Sequence, residues 1–227
     1  VRAMILAAGR GERMRPLTDT TPKPLLEVAG KPLIEHHIEK LVAAGFTELV
    51  INVSWLGEQI MERLGKGERW GCDIAFSTEV EALETAGGII QALPLLGEEP
   101  FALVNGDIWT DYTLASLRER GLEPGCRAHL VLVDNPPQHP RGDFMLGEDA
   151  RVSQLTGPTN HALTYAGIAV FDPAFFAGAE PGKQPLLPWL DKWIAATAIS
   201  GEHFRGTWFD VGTPERLAEL DARLGIL

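Results

Sequence analysis

Near the N-terminus, Leu6-Ala7-Ala8-Gly9-Arg10-Gly11-Glu12-Arg13-Met14-Arg15-Pro16-Leu17-Thr18 is followed by Pro22-Lys23-Pro24. Glycines at 9 and 11 let a backbone approach a phosphate chain closely and turn its N–H groups toward it. Arg13, Arg15 and Lys23 put cations beside the same loop. A strand, a glycine turn and flanking cations are what binding a polyphosphate requires. Two carboxylates farther along fit the same chemistry. Asp107 closes Asn105-Gly106-Asp107 after an apolar run, and Asp210 lies in Phe209-Asp210-Val211-Gly212-Thr213-Pro214-Glu215. Carboxylates so placed can hold magnesium, which takes few protein oxygens and completes its shell with phosphate and water. Each also has an ordinary reading. Asn-Gly-Asp favours a turn, and Thr213 with Pro214 reads as a helix N-cap and first helical residue. The latter leaves Asp210 unexplained.

Turn chemistry accounts for a bare Gly-x-Gly between strand and helix, but not for the Arg-x-x-Pro-Leu-Thr continuation or Pro-Lys-Pro. A dinucleotide fingerprint needs a third glycine where Met14 stands, and the Gly-Lys-Ser/Thr of a Walker A loop occurs nowhere. These segments resemble the signature of the sugar-1-phosphate nucleotidylyltransferases, which make nucleotide sugars. The resemblance continues through Glu84-Thr85-Ala86-Gly87-Gly88, Asn-Gly-Asp and Asp-Val-Gly-Thr-Pro, in family order and spacing.

The resemblance implies that Ala8, Gly9 and Gly11 cradle the nucleotide phosphates, with Arg13 stabilising the transferring phosphoryl group. Lys23 would bind phosphate at the reacting centre. Glu79, Asn105 and a Gly87-Gly88 turn would contact the nucleotide, and Asp107 and Asp210 would hold Mg2+. On the sugar side it implies Gly142, Tyr165, Gly167 and Arg205. The larger sugar-nucleotide enzymes carry Glu-Lys-Pro before the strand matching Tyr165–Phe171. Here Gly157-Pro158-Thr159-Asn160-His161 stands in its place. With the short chain, this is most similar to members pairing UTP with a sugar-1-phosphate that bears a carboxylate. Arg141 and Arg205 are the candidate cations for that group, though each also reads as a plain surface arginine. Members using mannose-1-phosphate with GTP, or glucose-1-phosphate, are alternatives. So is a non-catalytic regulator, which would be expected to have lost Arg13, Lys23 or an aspartate.

Positioning these residues requires strands that end where they begin. Apolar runs at Ala3–Ala8, Glu48–Val53, Asp73–Ser77, Phe101–Asn105 and His129–Val133 alternate with helical patterns. Ile34, Ile38, Leu41 and Val42 share one helix face, with Pro32 at its start and Gly45 at its end. Shorter helical stretches follow at Gly57–Leu64, Gly88–Leu93 and Leu114–Arg120, then at Leu186–Ala198 and Pro214–Leu224. The alternation predicts an α/β, Rossmann-like fold with a mostly parallel sheet covered on both faces. Ligands in such sheets sit beyond the strands' carboxyl ends, where the Gly9 loop and Asn105-Gly106-Asp107 both lie. Asn135–Gly142 reads as a loop, and 144–171 as a small β-rich sugar-binding excursion with Tyr165–Phe171 its clearest strand. The expectation is a single domain over 1–227, with about 1–110 binding nucleotide and about 111–227 binding sugar.

A 227-residue chain can bury a sizeable core. The net charge of −11 repels nucleic acid and anionic membranes, so phosphate binding must come from a local cationic site. No apolar run is long enough to span a bilayer. A first strand beginning at residue 3 leaves no room for a leader, which predicts a cytoplasmic protein. A monomer or weak homodimer is expected. Cys72 and Cys126 make no zinc or redox pattern and read as reduced structural thiols. Of His36 and His37, one faces the core, and neither is assigned a catalytic role.

Overall fold

The computed structural model describes residues 1–225. In the first half, β1 (Ala3–Leu6), β2 (Glu27–Val28), β3 (Lys31–Pro32) and α1 (Leu33–Ala43) lead to β4 (Glu48–Val53) and α2 (Gly57–Leu64). Then come β5 (Asp73–Thr78), α3 (Glu84–Leu96), β6 (Phe101–Asn105), β7 (Ile108–Thr110) and α4 (Ala115–Arg120). The second half holds β8 (Ala128–Val133), β9 (Phe144–Leu146), β10 (Val152–Gln154) and β11 (Thr164–Phe171). It ends with α5 (Leu187–Ala195), β12 (Ile199–His203), β13 (Trp208–Asp210) and α6 (Pro214–Leu224).

Seven strands form the central sheet in the order β12-β8-β11-β6-β1-β4-β5. All neighbours are parallel except β11, which runs antiparallel between β6 and β8. The mostly parallel, doubly covered sheet is therefore as expected. Strand β1 shows why. Its Ala3 and Ile5 pack with Ile34, Ile38 and Leu41 of α1 and Ile60 of α2 on one face. Met4 points the other way, into a cluster with Ala86, Ile89 and Ala92 of α3 and Leu190 of α5. An alternating strand buried on both sides must be apolar throughout. Each fully buried Ile or Leu adds about 1.5–3 kcal/mol to this sandwich.

One expectation is corrected. The strand at Tyr165–Phe171 lies in the middle of the main sheet and is no part of an excursion. Of the strands in 144–171, β9 and β10 stand outside it, as a two-stranded ribbon. The register of β11 against β8 slips between Tyr165 and Ala169, a bulge that accommodates Gly167 at φ 74°. Among the described residues, no helix is long and apolar enough to cross a membrane.

Candidate active site

At the carboxyl end of β1 the chain enters the glycine loop. Gly11 has φ 71°, and a Cβ there would stand 2.8 Å from the Thr18 methyl carbon, so both conformation and space demand glycine. The Thr18 hydroxyl donates to the Gly11 carbonyl at 2.7 Å and closes the loop. Gly9 is different. A Cβ on it would meet nothing within 4 Å, and it lines an open cavity of about 350 Å³. The loop arginines do not act alike. Arg10 and Arg15 both pair with Asp19, at 3.0 and 2.8 Å, and Arg10 stacks on Trp55. Arg15 is therefore engaged by acids of its own loop, Glu12 and Asp19. Arg13, among the described residues, has no carboxylate partner, and it lines the cavity.

Gly106 explains how the second loop joins the first. Its N–H donates to the Leu6 carbonyl at 2.8 Å, and a Cβ on it would collide with that same oxygen. Only glycine lets the Asp107 turn press against the end of β1. Asp107 then meets Lys23 from the Pro-Lys-Pro turn, with Nζ 3.4 Å from its Oδ2. Lys23 is mostly buried, whereas Asp107 is 42% exposed toward the cavity.

The third loop arrives by strand pairing. β7 pairs antiparallel with β13, setting Asp210 opposite Ile108. The Val211 N–H donates to the Asp107 carbonyl at 2.9 Å. Two aspartates far apart in sequence thus flank one backbone contact. Asp210 pairs with Arg216 at 3.5 Å. Gly212 lines the cavity, and a Cβ there would stand 2.8 Å from an Arg13 guanidinium nitrogen. The helix-entry reading also holds, because Thr213 accepts from the Arg216 N–H and caps α6. Asp210 thus sits in the turn that leads into α6, two residues before the cavity-lining Gly212.

These donors fit a hard divalent cation. Carboxylate oxygens are the correct ligand type, and among the described residues no group of three or more His, Cys, Asp or Glu gathers as a metal site. Asp107 and Asp210 alone would leave most of such an ion's shell to phosphate and water. His37 adds no charge below the Asp107 turn, since burial pushes its pKa down to about 4 and keeps the ring neutral. His36 is tied to the Val28 carbonyl at 2.8 Å.

Residues 2–225 match the nucleotidyl transferase family. The chain belongs to that family. It is 52% identical to the N-acetylmuramate alpha-1-phosphate uridylyltransferase of Neisseria meningitidis serogroup B, over 99% of each chain. It is 36% identical to the enzyme of that name from Caulobacter vibrioides, over 98% of this chain and 96% of the other. A solved Bacillus anthracis structure described as a glucose-1-phosphate thymidylyltransferase matches with a TM-score of 0.87, covering 100% of this chain and 96% of that one. At 20% identity, that likeness concerns the fold.

In this nucleotidyl transferase the remaining expected residues divide into two groups. Ala8, Glu79 and Asn105 line the cavity together with Gly9, Gly11, Arg13, Lys23 and Asp107. Gly87 and Gly88 do not line it, and they form no turn. Both are buried inside α3. A Cβ on Gly87 would strike the Gly182 carbonyl, and one on Gly88 would stand 2.8 Å from Asn52 and Glu79 side-chain atoms. This pair lets the helix approach its neighbours.

The sugar-side residues lie away from the cavity lining. Gly167 presses on the Asn105 side chain, 2.6 Å from Nδ2 for an added Cβ. The Tyr165 N–H donates to Asp143 at 2.8 Å, while its hydroxyl is buried without a partner and burial raises its pKa. The Asn105 Oδ1 is likewise buried and unpartnered. Gly142, at φ 68°, packs on Asn135, which accepts from Thr164. Arg141 and Arg205 are both exposed. Sequence reasoning missed Asn52 and Arg216. Asn52 carried a signal, being the polar residue in the apolar run Leu49-Val50-Ile51-Asn52-Val53.

Proposed function

We propose that the chain transfers a uridylyl group from UTP to N-acetylmuramic acid α-1-phosphate, giving UDP-N-acetylmuramic acid and pyrophosphate. The observation that carries this reading is the 52% identity to the N. meningitidis uridylyltransferase over nearly the whole of both chains. The convergence of Arg13, Lys23, Asp107 and Asp210 on neighbouring loops supports it. In this reading residues 1–227 act as one nucleotidyltransferase domain, about 1–110 for the nucleotide and about 111–227 for the sugar. It works in the cytoplasm in cell-wall sugar recycling, as a monomer or weak homodimer.

A sugar-phosphate oxygen attacks the α-phosphorus of UTP in line. The new P–O bond forms as the bond to pyrophosphate breaks. The attacking phosphate is already ionised near neutral pH, its second pKa being about 6, so no side chain need act as a base. Bringing two polyanions together makes positioning and charge neutralisation the main tasks. Gly9 and Gly11 hold the phosphate chain, Lys23 neutralises phosphate beside the reacting centre, and Arg13 faces the charge that develops on the transferring group. Asp107 and Asp210 would hold magnesium, which when bound would neutralise phosphate charge and orient the α-phosphate.

The acceptor's lactyl carboxylate needs a cation. Arg205 is preferred to Arg141 for that role, since its segment runs in sequence into β13, which ends at Asp210. With UTP, kcat/KM for N-acetylmuramic acid α-1-phosphate is expected to exceed that for N-acetylglucosamine-1-phosphate by about tenfold to a hundredfold, the scale of one charge-assisted hydrogen bond. Arg205→Gln should erase that preference and leave the KM for UTP within about threefold. Equal use of both acceptors by the wild type would overturn the assignment of the sugar.

A further inference from the structure

Glu79 lines the cavity and is also held by the protein through both carboxylate oxygens. It is only 3% exposed, and each of its carboxylate oxygens already accepts from the protein. The Leu83 N–H donates to Oε1 at 2.9 Å, and the Asn52 side-chain amide donates to Oε2 at 2.8 Å. The other end of Asn52 is fixed as well, since its Oδ1 accepts the Ala7 N–H at 2.8 Å. A backbone N–H can only donate, so the orientation of the amide is determined by the network. The result is a hydrogen-bond chain of one polarity, from Ala7 through Asn52 to Glu79, where Leu83 meets it.

Its four members belong to four elements around the cavity. Ala7 follows β1 and opens the glycine loop, Asn52 lies near the end of β4, and Glu79 follows β5. Leu83 is the N-cap of α3, which no side chain caps directly. The first turn of a helix leaves N–H groups without intrahelical partners, and here that turn lines the cavity at Glu84 and Thr85. Glu84 holds a left-handed backbone, φ 61°, a conformation that surrounding contacts must maintain. Gly88 permits the helix to sit over the network.

We infer that Glu79 and Asn52 are positioning residues for the nucleoside end of the triphosphate site, locking the α3 N-terminus to the glycine loop through a chain that accepts only an acceptor at residue 79. The inference rests on the proposed use of UTP. In Glu79→Gln, the new amide nitrogen must face either the Leu83 N–H or the Asn52 amide, both donors. Asn52 cannot turn over without opposing the Ala7 N–H. In Asn52→Asp two carboxylates face each other in a buried place. The double variant Asn52→Asp/Glu79→Gln pairs every donor with an acceptor again at unchanged net charge, with the polarity of the middle bond reversed.

The test is a double-variant cycle read by thermal unfolding and by UTP kinetics with N-acetylmuramic acid α-1-phosphate. Each single variant should unfold at lower temperature and raise the KM for UTP about tenfold or more, with kcat within about threefold. The double variant should recover both the unfolding temperature and the KM. Additive losses in the double variant would overturn the polarity argument. Recovered unfolding without recovered KM would reduce the network to a support of the fold and overturn the positioning role. A wild-type protein that does not turn over UTP would overturn the proposed activity and the positioning role with it. An active wild type without rescue overturns this inference alone.

Discussion

Asp107→Asn is expected to lower kcat by about 10²–10³-fold, the scale of removing one preorganised electrostatic contact to the reacting group, while leaving the fold intact. The side chain is 42% exposed, and its one ion pair, to Lys23 at 3.4 Å, is of a kind that adds about 1 kcal/mol or less to stability. The change keeps size and shape but removes the negative charge and leaves one neutral oxygen for a divalent cation. Excess chelator should produce a comparable loss in the wild type and little further loss in the variant. The measurement is steady-state turnover across a magnesium titration, with thermal unfolding as the control. Full activity of the wild type in chelator would contradict the role given to Asp107 and Asp210.

Arg13→Ala should lower kcat by about 10²-fold and change the KM for UTP much less. Arg13 is exposed and, among the described residues, unpaired with any acid, so the free protein loses little when it is removed. Its guanidinium lies against Gly212, on the segment that carries Asp210. Arg10 and Arg15 offer the contrast. Both are held by Asp19, and alanine at Arg15 should leave kcat nearly unchanged. If Arg13→Ala moved KM and spared kcat, Arg13 would bind the ground state only.

The strands bearing the site were legible because parallel strands buried on both faces are apolar from end to end, and their polar residues begin where the strand stops. Asn105-Gly106-Asp107 after Phe101–Val104 is the clearest instance. What local pattern cannot carry is which strand lies beside which. Nothing in Tyr165–Phe171 distinguishes a strand of a side ribbon from an antiparallel strand inside the main sheet. Edge strand β12 was hidden because Ser200, Gly201, Glu202 and His203 do not form an apolar run. Gly87-Gly88 misled for a different reason. Paired glycines usually turn the chain, but here they let α3 close on Asn52, Glu79 and the Gly182 carbonyl. The glycine-loop cations could be listed from sequence yet not sorted, since only the position of Asp19 reveals that Arg10 and Arg15 are taken.

In the proposed reaction this cavity joins UTP to a sugar phosphate that carries a carboxylate. Pyrophosphate release measured across a grid of nucleoside triphosphates and sugar-1-phosphates, with magnesium present, tests it most directly. The highest kcat/KM is expected for UTP with N-acetylmuramic acid α-1-phosphate, with weaker release from the other triphosphates. Equal or faster release with GTP and mannose-1-phosphate would contradict it.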